Sequence, residues 1–143
     1  AFYRDLLTTL ETEYTPTDQV VIMGDFNVAP VDPDIGITDD AKKRWLRTGK
    51  TSFLPEERAW FERLIQWGLV DSWRSVHPEV SDRYSCFDYR SRGFEDDPKR
   101  GLRIDHILVS KPLMERMTDC GIDYTLRAMD KPSDHCPVWI TLE

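Results

Sequence analysis

The run from Leu102 to Ser110, Leu-Arg-Ile-Asp-His-Ile-Leu-Val-Ser, places two ionisable residues inside the most strand-like stretch of the chain. Successive side chains on a strand point to opposite faces. Ile104, His106 and Leu108 therefore share one face, and Arg103, Asp105, Ile107 and Val109 the other. An unpaired carboxylate in such a run costs several kcal/mol, so Asp105 demands a partner. Chemistry offers two. One is Arg103, close by on the chain; the other is an imidazole from another strand, whose tautomer the aspartate would fix. His106 points away from Asp105 and reads as a core or interface histidine.

Two further polar clusters sit at the ends of apolar runs. Gln19 to Met23 is β-branched and closed by Gly24, a buried strand by its composition, and Asp25 and Asn27 follow it. On extended backbone these two share a face, so their oxygens could address one cation or one phosphate; taken alone, a strand-end carboxylate in an Asx-type turn is the simpler reading. Ser133-Asp134-His135-Cys136-Pro137 is the second cluster. Asp134 and His135 diverge, so one can face a metal or phosphate while the other faces Asp105. A sheet that brought all three clusters to one rim would make a site. Cys86, Cys120 and Cys136 lack the paired spacings of zinc sites, and Cys136 has no activating base in view.

The remaining pattern mixes helices and strands. Phe2, Leu6, Leu7 and Leu10 predict a helix over 2–13, ended by Thr15-Pro16. Residues 27–37 form a loop carrying Asp32 and Asp34, and Asp39 or Asp40 caps a short helix running to Arg47. Pro55, Glu56 and Glu57 open the clearest helix, with Trp60, Leu64 and Trp67 on one face and Gly68 at its end. Residues 69–73 read as extended, 84–89 as a strand, 93–101 as a hairpin-like loop, 112–117 as a helix, and 122–127 and 138–142 as strands. The sum is α+β, with a mostly antiparallel sheet and flanking helices.

A chain of 143 residues, 40% hydrophobic and 31% charged, is sized for one ordinary domain. It opens on Ala-Phe-Tyr-Arg-Asp-Leu-Leu, as though inside a helix, and is read as a fragment. No apolar run approaches the ~18–20 residues that cross a bilayer, so no membrane role is expected. Three unpaired cysteines fit a reducing compartment, and the cytoplasm is the expectation. The net charge of -7 argues against a broad electrostatic grip on nucleic acid. The basic residues are nonetheless clustered, at Lys42, Lys43, Arg44, Arg47 and Lys50 and again at Arg90, Arg92, Lys99, Arg100 and Arg103. Such patches around an acidic centre suit an enzyme that holds phosphates and a divalent cation, although ordinary surface charge explains any one of them equally well.

Five ordered segments carry a resemblance: Val-Ile-Met-Gly-Asp-Phe-Asn-Val-Ala-Pro (21–30), Arg-Trp-Leu-Arg-Thr-Gly-Lys (44–50), Phe-Asp-Tyr-Arg-Ser-Arg-Gly-Phe (87–94), Gly-Leu-Arg-Ile-Asp-His-Ile-Leu (101–108) and Lys-Pro-Ser-Asp-His-Cys-Pro-Val (131–138). They resemble the C-terminal half of the bacterial exonuclease III family, within the endonuclease/exonuclease/phosphatase superfamily. The resemblance implies that residues 1–143 are a single partial domain, half of a four-layer α/β/β/α sandwich. It implies a DNA repair nuclease, cutting double-stranded DNA at abasic sites and trimming 3′ ends with Mg²⁺ or Mn²⁺. By motif, Asp25 handles a proton of the attacking water or leaving group, Asn27 orients the phosphate, Asp105 holds His135, His135 bonds a phosphoryl oxygen, and Asp134 assists the metal. Asp25, Asn27, Asp134 and His135 become the metal-side residues, and Phe87, Arg90 and Leu102 the substrate-side ones. Cys86 departs from the family's tryptophan. The N-terminal half, which supplies the family's glutamate metal ligand, is absent, so the expected partners include that half or a second copy of this chain. A phosphatase of the same superfamily, or a non-catalytic half-domain, is the alternative.

Overall fold

The computed structural model describes residues 2–49, 52–87, 92–130 and 132–143. In chain order its elements are α1 (Phe2–Glu13), β1 (Val21–Asp25), α2 (Asp39–Thr48), α3 (Pro55–Trp67), β2 (Leu69–Asp71), α4 (Ser72–Val76), β3 (Asp105–Ser110), α5 (Lys111–Met114), β4 (Met117–Ile122), α6 (Tyr124–Arg127) and β5 (Val138–Leu142), with a 3-10 turn at Asp32–Asp34.

The strand containing Asp105 is the centre of the molecule. β3 lies between β1 and β2, antiparallel to both, in register so that Gly24 opposes His106 and Asp25 opposes Asp105. Its two faces serve two layers. Leu108 packs with Leu10 of α1, Phe61 and Leu64 of α3, Phe26 and Val28, and His106 meets the Phe26 and Phe61 rings at 5.6 and 5.1 Å. Ile107 and Val109 pack instead with Leu113 and with Val138 and Ile140 of β5, which pairs with β4 as a second antiparallel sheet. Helices, sheet and second sheet thus stack in order. Covering both faces explains why β3 reads as a nearly continuous apolar run, and each fully buried aliphatic side chain there contributes about 1.5–3 kcal/mol.

Local chemistry sets the helix ends. Pro55 occupies the first turn of α3, and the Glu57 carboxylate accepts the backbone N–H groups of Leu54 and Ser52 at 3.0 and 2.9 Å, satisfying donors the helix cannot. Gly68 closes α3 at φ +133°, where a Cβ would also press to 2.7 Å from Pro16.

Several sequence expectations change. β1 is not buried: it is an edge strand, and Met23 is 67% exposed. Val21 and Met23 oppose Val109 and Ile107 and so share the face that those two bury against β5, yet both remain exposed. Residues 84–87 form isolated bridges rather than a strand, and positions 88–89 lie outside the described residues. Trp73 belongs to α4, because the Asp71 carboxylate caps that helix through the N–H of Arg74. The strand expected at 122–127 is displaced to β4, and Asp123 caps α6 through the N–H of Leu126. Thr38, not Asp39 or Asp40, caps α2. In α3 Phe61 and Leu64 face the core, while Trp60 lies under the Arg63 guanidinium at 4.4 Å.

Candidate active site

Backbone stitching brings the three polar clusters together. The N–H of Phe26 donates to the carbonyl of Ile104 at 3.0 Å, that of Phe87 to Asp134 at 2.8 Å, and that of Cys136 to Ser85 at 2.6 Å. The Ser85 hydroxyl accepts the N–H groups of both Ile104 and Asp105, each at 2.9 Å. Residues distant in sequence are therefore held at one end of β3.

Asp105 Oδ2 accepts the Nδ1–H of His135 at 2.8 Å, and His135 Nε2 lies 3.8 Å from Asp25 Oδ2. Of the two partners chemistry offered Asp105, the imidazole is the one it has. Asp25 sits one residue past Gly24, whose φ of +143° a side-chain-bearing residue rarely adopts. Its Oδ1 accepts the N–H of Asn27 at 2.8 Å, and Asn27 has φ +52°: the Asx turn is present and it fixes the carboxylate. Asp25 is 40% exposed and Asp105 only 11% by side chain, so one carboxylate meets solvent while the other is sheltered.

The electrostatics follow from that shelter. Burial pushes the Asp105 carboxyl above its usual range, and the hydrogen bonds from His135 and Ser85 offset this only in part. Burial alone would lower His135, but the Asp105 hydrogen bond and charge, with the charges of Asp25 and Asp134, hold it above an ordinary histidine. The imidazole is thus biased toward a protonated state that presents Nε2–H outward.

Asp25, Asp105 and His135 each offer a ligand atom, all within 4.8 Å of one another. This set differs from the expected metal side, since Asp105 joins it and Asp134 does not. Asp134 Oδ1 is buried with no hydrogen-bond donor among the described residues, an acceptor a nearby cation would satisfy. An oxygen-rich donor set of this kind fits a hard divalent cation.

The residues expected on the substrate side lie in different surroundings. Phe87 is 0% exposed, packed edge-on against Tyr84, Phe94 and Tyr124. In this structure its ring is packed within the core. Leu102 does line a pocket of about 260 Å³, together with Ile37, Trp45, Cys86, Arg44 and Arg100. Arg90 lies outside the described residues. Arg103, counted by sequence as part of a basic patch, is 1% exposed and ion-paired with Asp34 and Asp71 at 2.6 and 2.5 Å. Its Nη1 also donates to His106 Nδ1 at 3.0 Å, and His106 Nε2–H donates to the Val28 carbonyl at 2.7 Å.

Sequence reasoning gave Ser85 no role, did not pair Asp34 with Arg103, and did not place Cys86 next to His135, whose Nε2 is 3.9 Å from the Cys86 Sγ. Small polar residues in loops carry no periodic signal; only the tertiary contacts reveal them.

The profile of the endonuclease/exonuclease/phosphatase family matches residues 1–135. Exodeoxyribonuclease III of Haemophilus influenzae is 59% identical over 138 residues, which cover 96% of this chain and 51% of that protein. Among solved structures, an AP endonuclease from Archaeoglobus fulgidus superposes with TM-score 0.85 at 30% identity, over 99% of this chain and 52% of that one. The 3′ phosphatase NExo from Neisseria, bound to a product DNA hairpin, superposes with TM-score 0.80 at 37% identity, over 100% and 51%. The chain spans about half the length of these relatives.

Proposed function

The chain belongs to the endonuclease/exonuclease/phosphatase family, and from that premise we propose that it is the C-terminal half of a metal-dependent DNA repair nuclease of the exonuclease III type. The whole enzyme hydrolyses phosphodiesters of double-stranded DNA at abasic sites and at 3′ ends. The observation that carries this reading is the meeting of Asp25, Asp105 and His135, from separate stretches of the chain, around one point. The names of the exodeoxyribonuclease and AP endonuclease relatives support it.

The residues divide the work by environment. Protonated His135 donates Nε2–H to a phosphoryl oxygen and offsets the charge that grows there, which is worth most in a sheltered site. Asp105 holds the ring in the required tautomer. Asp25, more exposed and fixed by its Asx turn, handles the proton of the attacking water or of the leaving group. Asn27 orients the phosphate. Of the metal-side residues read from the motifs, Asp25, Asp134 and Asn27 would hold Mg²⁺ or Mn²⁺ through oxygen while the protonated His135 stays on the phosphate, and the ion would supply Lewis-acid polarisation of the phosphate. Leu102, in the pocket with Cys86, contacts the displaced sugar. Three free thiols favour the reducing cytoplasm as the compartment. Among the described residues no helix is long and apolar enough to cross a membrane.

The test uses the complete polypeptide with Mg²⁺ and an abasic duplex. Incision that disappears in Asp25→Asn is expected; no incision by the unmodified protein overturns the reading. The likeness to a 3′ phosphatase gives a second reading, removal of a 3′ phosphate from DNA. It would take over if a 3′-phosphorylated duplex were processed while abasic and 3′-hydroxyl substrates were not.

A further inference from the structure

We propose that Tyr3 is a positioning residue for the nuclease site, its hydroxyl holding the peptide that joins Phe26 to Asn27 and so aiming Asp25 and Asn27 together. The role rests on the nuclease reading of that site. Tyr3 Oη, on α1, donates to the Phe26 carbonyl. On the far side of Asn27, His106 Nε2–H donates to the Val28 carbonyl at 2.7 Å. Asn27 itself, between those two carbonyls, has φ +52°, a conformation that residues with side chains keep only where their surroundings impose it.

Peptide planarity turns this contact into control of a carboxylate. The Phe26 carbonyl and the Asn27 N–H belong to one rigid plane. Tyr3 grips its oxygen end, and Asp25 Oδ1 accepts from its N–H end at 2.8 Å. Rotation of that plane would break both bonds at once, releasing Asp25 from its turn and swinging the Asn27 side chain away from the phosphate. Backbone bonds tie the chain on either side, from the Phe26 N–H to the Ile104 carbonyl at 3.0 Å and from the Ala29 N–H to the Ser52 carbonyl at 2.6 Å. Without Tyr3, the plane between them is left to the Asx turn alone.

The ring and the hydroxyl of Tyr3 do separate work. The ring lies 6.4 Å from that of Phe26 and packs against the cluster that joins α1 to α3, contacts that a phenylalanine would keep. The hydroxyl serves the Phe26 carbonyl. Burial, then the charges of Glu57 and Asp25, push the phenol up to about 12, so it remains a donor throughout the neutral range. Phe26 is buried, and a buried carbonyl deprived of its donor is costly, which favours the rotation.

The test compares Tyr3→Phe with Leu10→Ala, a core truncation in the same helix, in the complete polypeptide with Mg²⁺ and an abasic duplex. Tyr3→Phe is expected to lower kcat by about 10-fold or more, with KM for the duplex and the melting temperature nearly unchanged. Leu10→Ala should do the reverse, lowering the melting temperature while kcat stays within about 2-fold of the unmodified protein. An unchanged kcat in Tyr3→Phe, equal losses of kcat in the two variants, or a loss that only follows a lower melting temperature overturns the role. Amide hydrogen exchange at Asn27 reads the restraint without DNA: exchange about 10-fold faster in Tyr3→Phe is expected, and an unchanged rate overturns it. If the unmodified polypeptide incises nothing, the nuclease reading fails, and faster Asn27 exchange in Tyr3→Phe would leave the restraint on the turn standing.

Discussion

Asp105 and His106 are neighbours on one strand with opposite duties, and each makes its own pH dependence. Replacing Asp105 by Asn keeps the shape but removes the charge that holds His135 above the ordinary range. Cleavage by the complete polypeptide is expected to fall by about 100-fold or more. Its alkaline limb should also move to lower pH, because the protonated Nε2 donor is lost as pH rises through a pKa that is now lower; a pH–rate profile of both proteins checks this. His106 works in the other direction. Burial, reinforced by the Arg103 charge, lowers it from 6.5 to about 4. The unfolded chain therefore binds a proton that the folded one refuses as pH falls from about 6.5 toward 4, and stability drops there by up to about 1.4 kcal/mol per pH unit. His106→Gln can still hydrogen-bond but cannot titrate, so urea melts should lose that part of the acid-side slope.

At the scale of elements, the loop before α2, the β2–α4 junction and the approach to β3 are joined by one buried charge cluster. Arg103 pairs with Asp34 and Asp71, and Arg74 pairs with Asp34. Burial pushes Asp71 up, but the Arg103 charge and hydrogen bond outweigh it and hold the carboxyl below its usual range. Removing one member leaves an uncompensated buried charge, so Asp34→Ala is expected to cost about 3–5 kcal/mol in a denaturant melt, whereas Asp39→Ala, on an exposed surface pair 3.6 Å from Lys42, should cost less than about 1 kcal/mol. Helices α1 and α3 were legible because apolar spacing, proline and glycine all agreed on them. The segment at 84–87 was not: its alternation of Tyr84, Ser85, Cys86 and Phe87 mimics a strand, yet its backbone hydrogen bonds go to two different segments, 102 and 134–136. Periodicity reports which side chains are apolar, not where the backbone pairs.

For the molecule as a whole, the inner face of the central sheet is covered on one side only. Ile107 and Val109 lie under β5, while Val21 and Met23, beside them across the ladder, face solvent on a strand whose outer edge has no partner among the described residues. An apolar strip on an open edge is a template for pairing with another chain. The isolated chain is therefore expected to self-associate in light scattering, and Met23→Lys, which places a charge on that strip, should shift it toward monomer. Adding a polypeptide that covers the other half of its relatives' length should do the same and produce a one-to-one complex.

From the linear chain alone came the elements with strong periodicity, the opposite facing of Asp105 and His106, and the three polar clusters that had to meet, because these depend on side-chain order along a strand or helix. Which imidazole Asp105 would take, that Arg103 would be buried and Phe87 sealed in the core, and that Cys86 would stand beside His135 were decided only by tertiary packing. Each of those outcomes is a choice among partners tens of residues apart, and local physics is the same for every candidate until the fold brings one of them within a few ångströms.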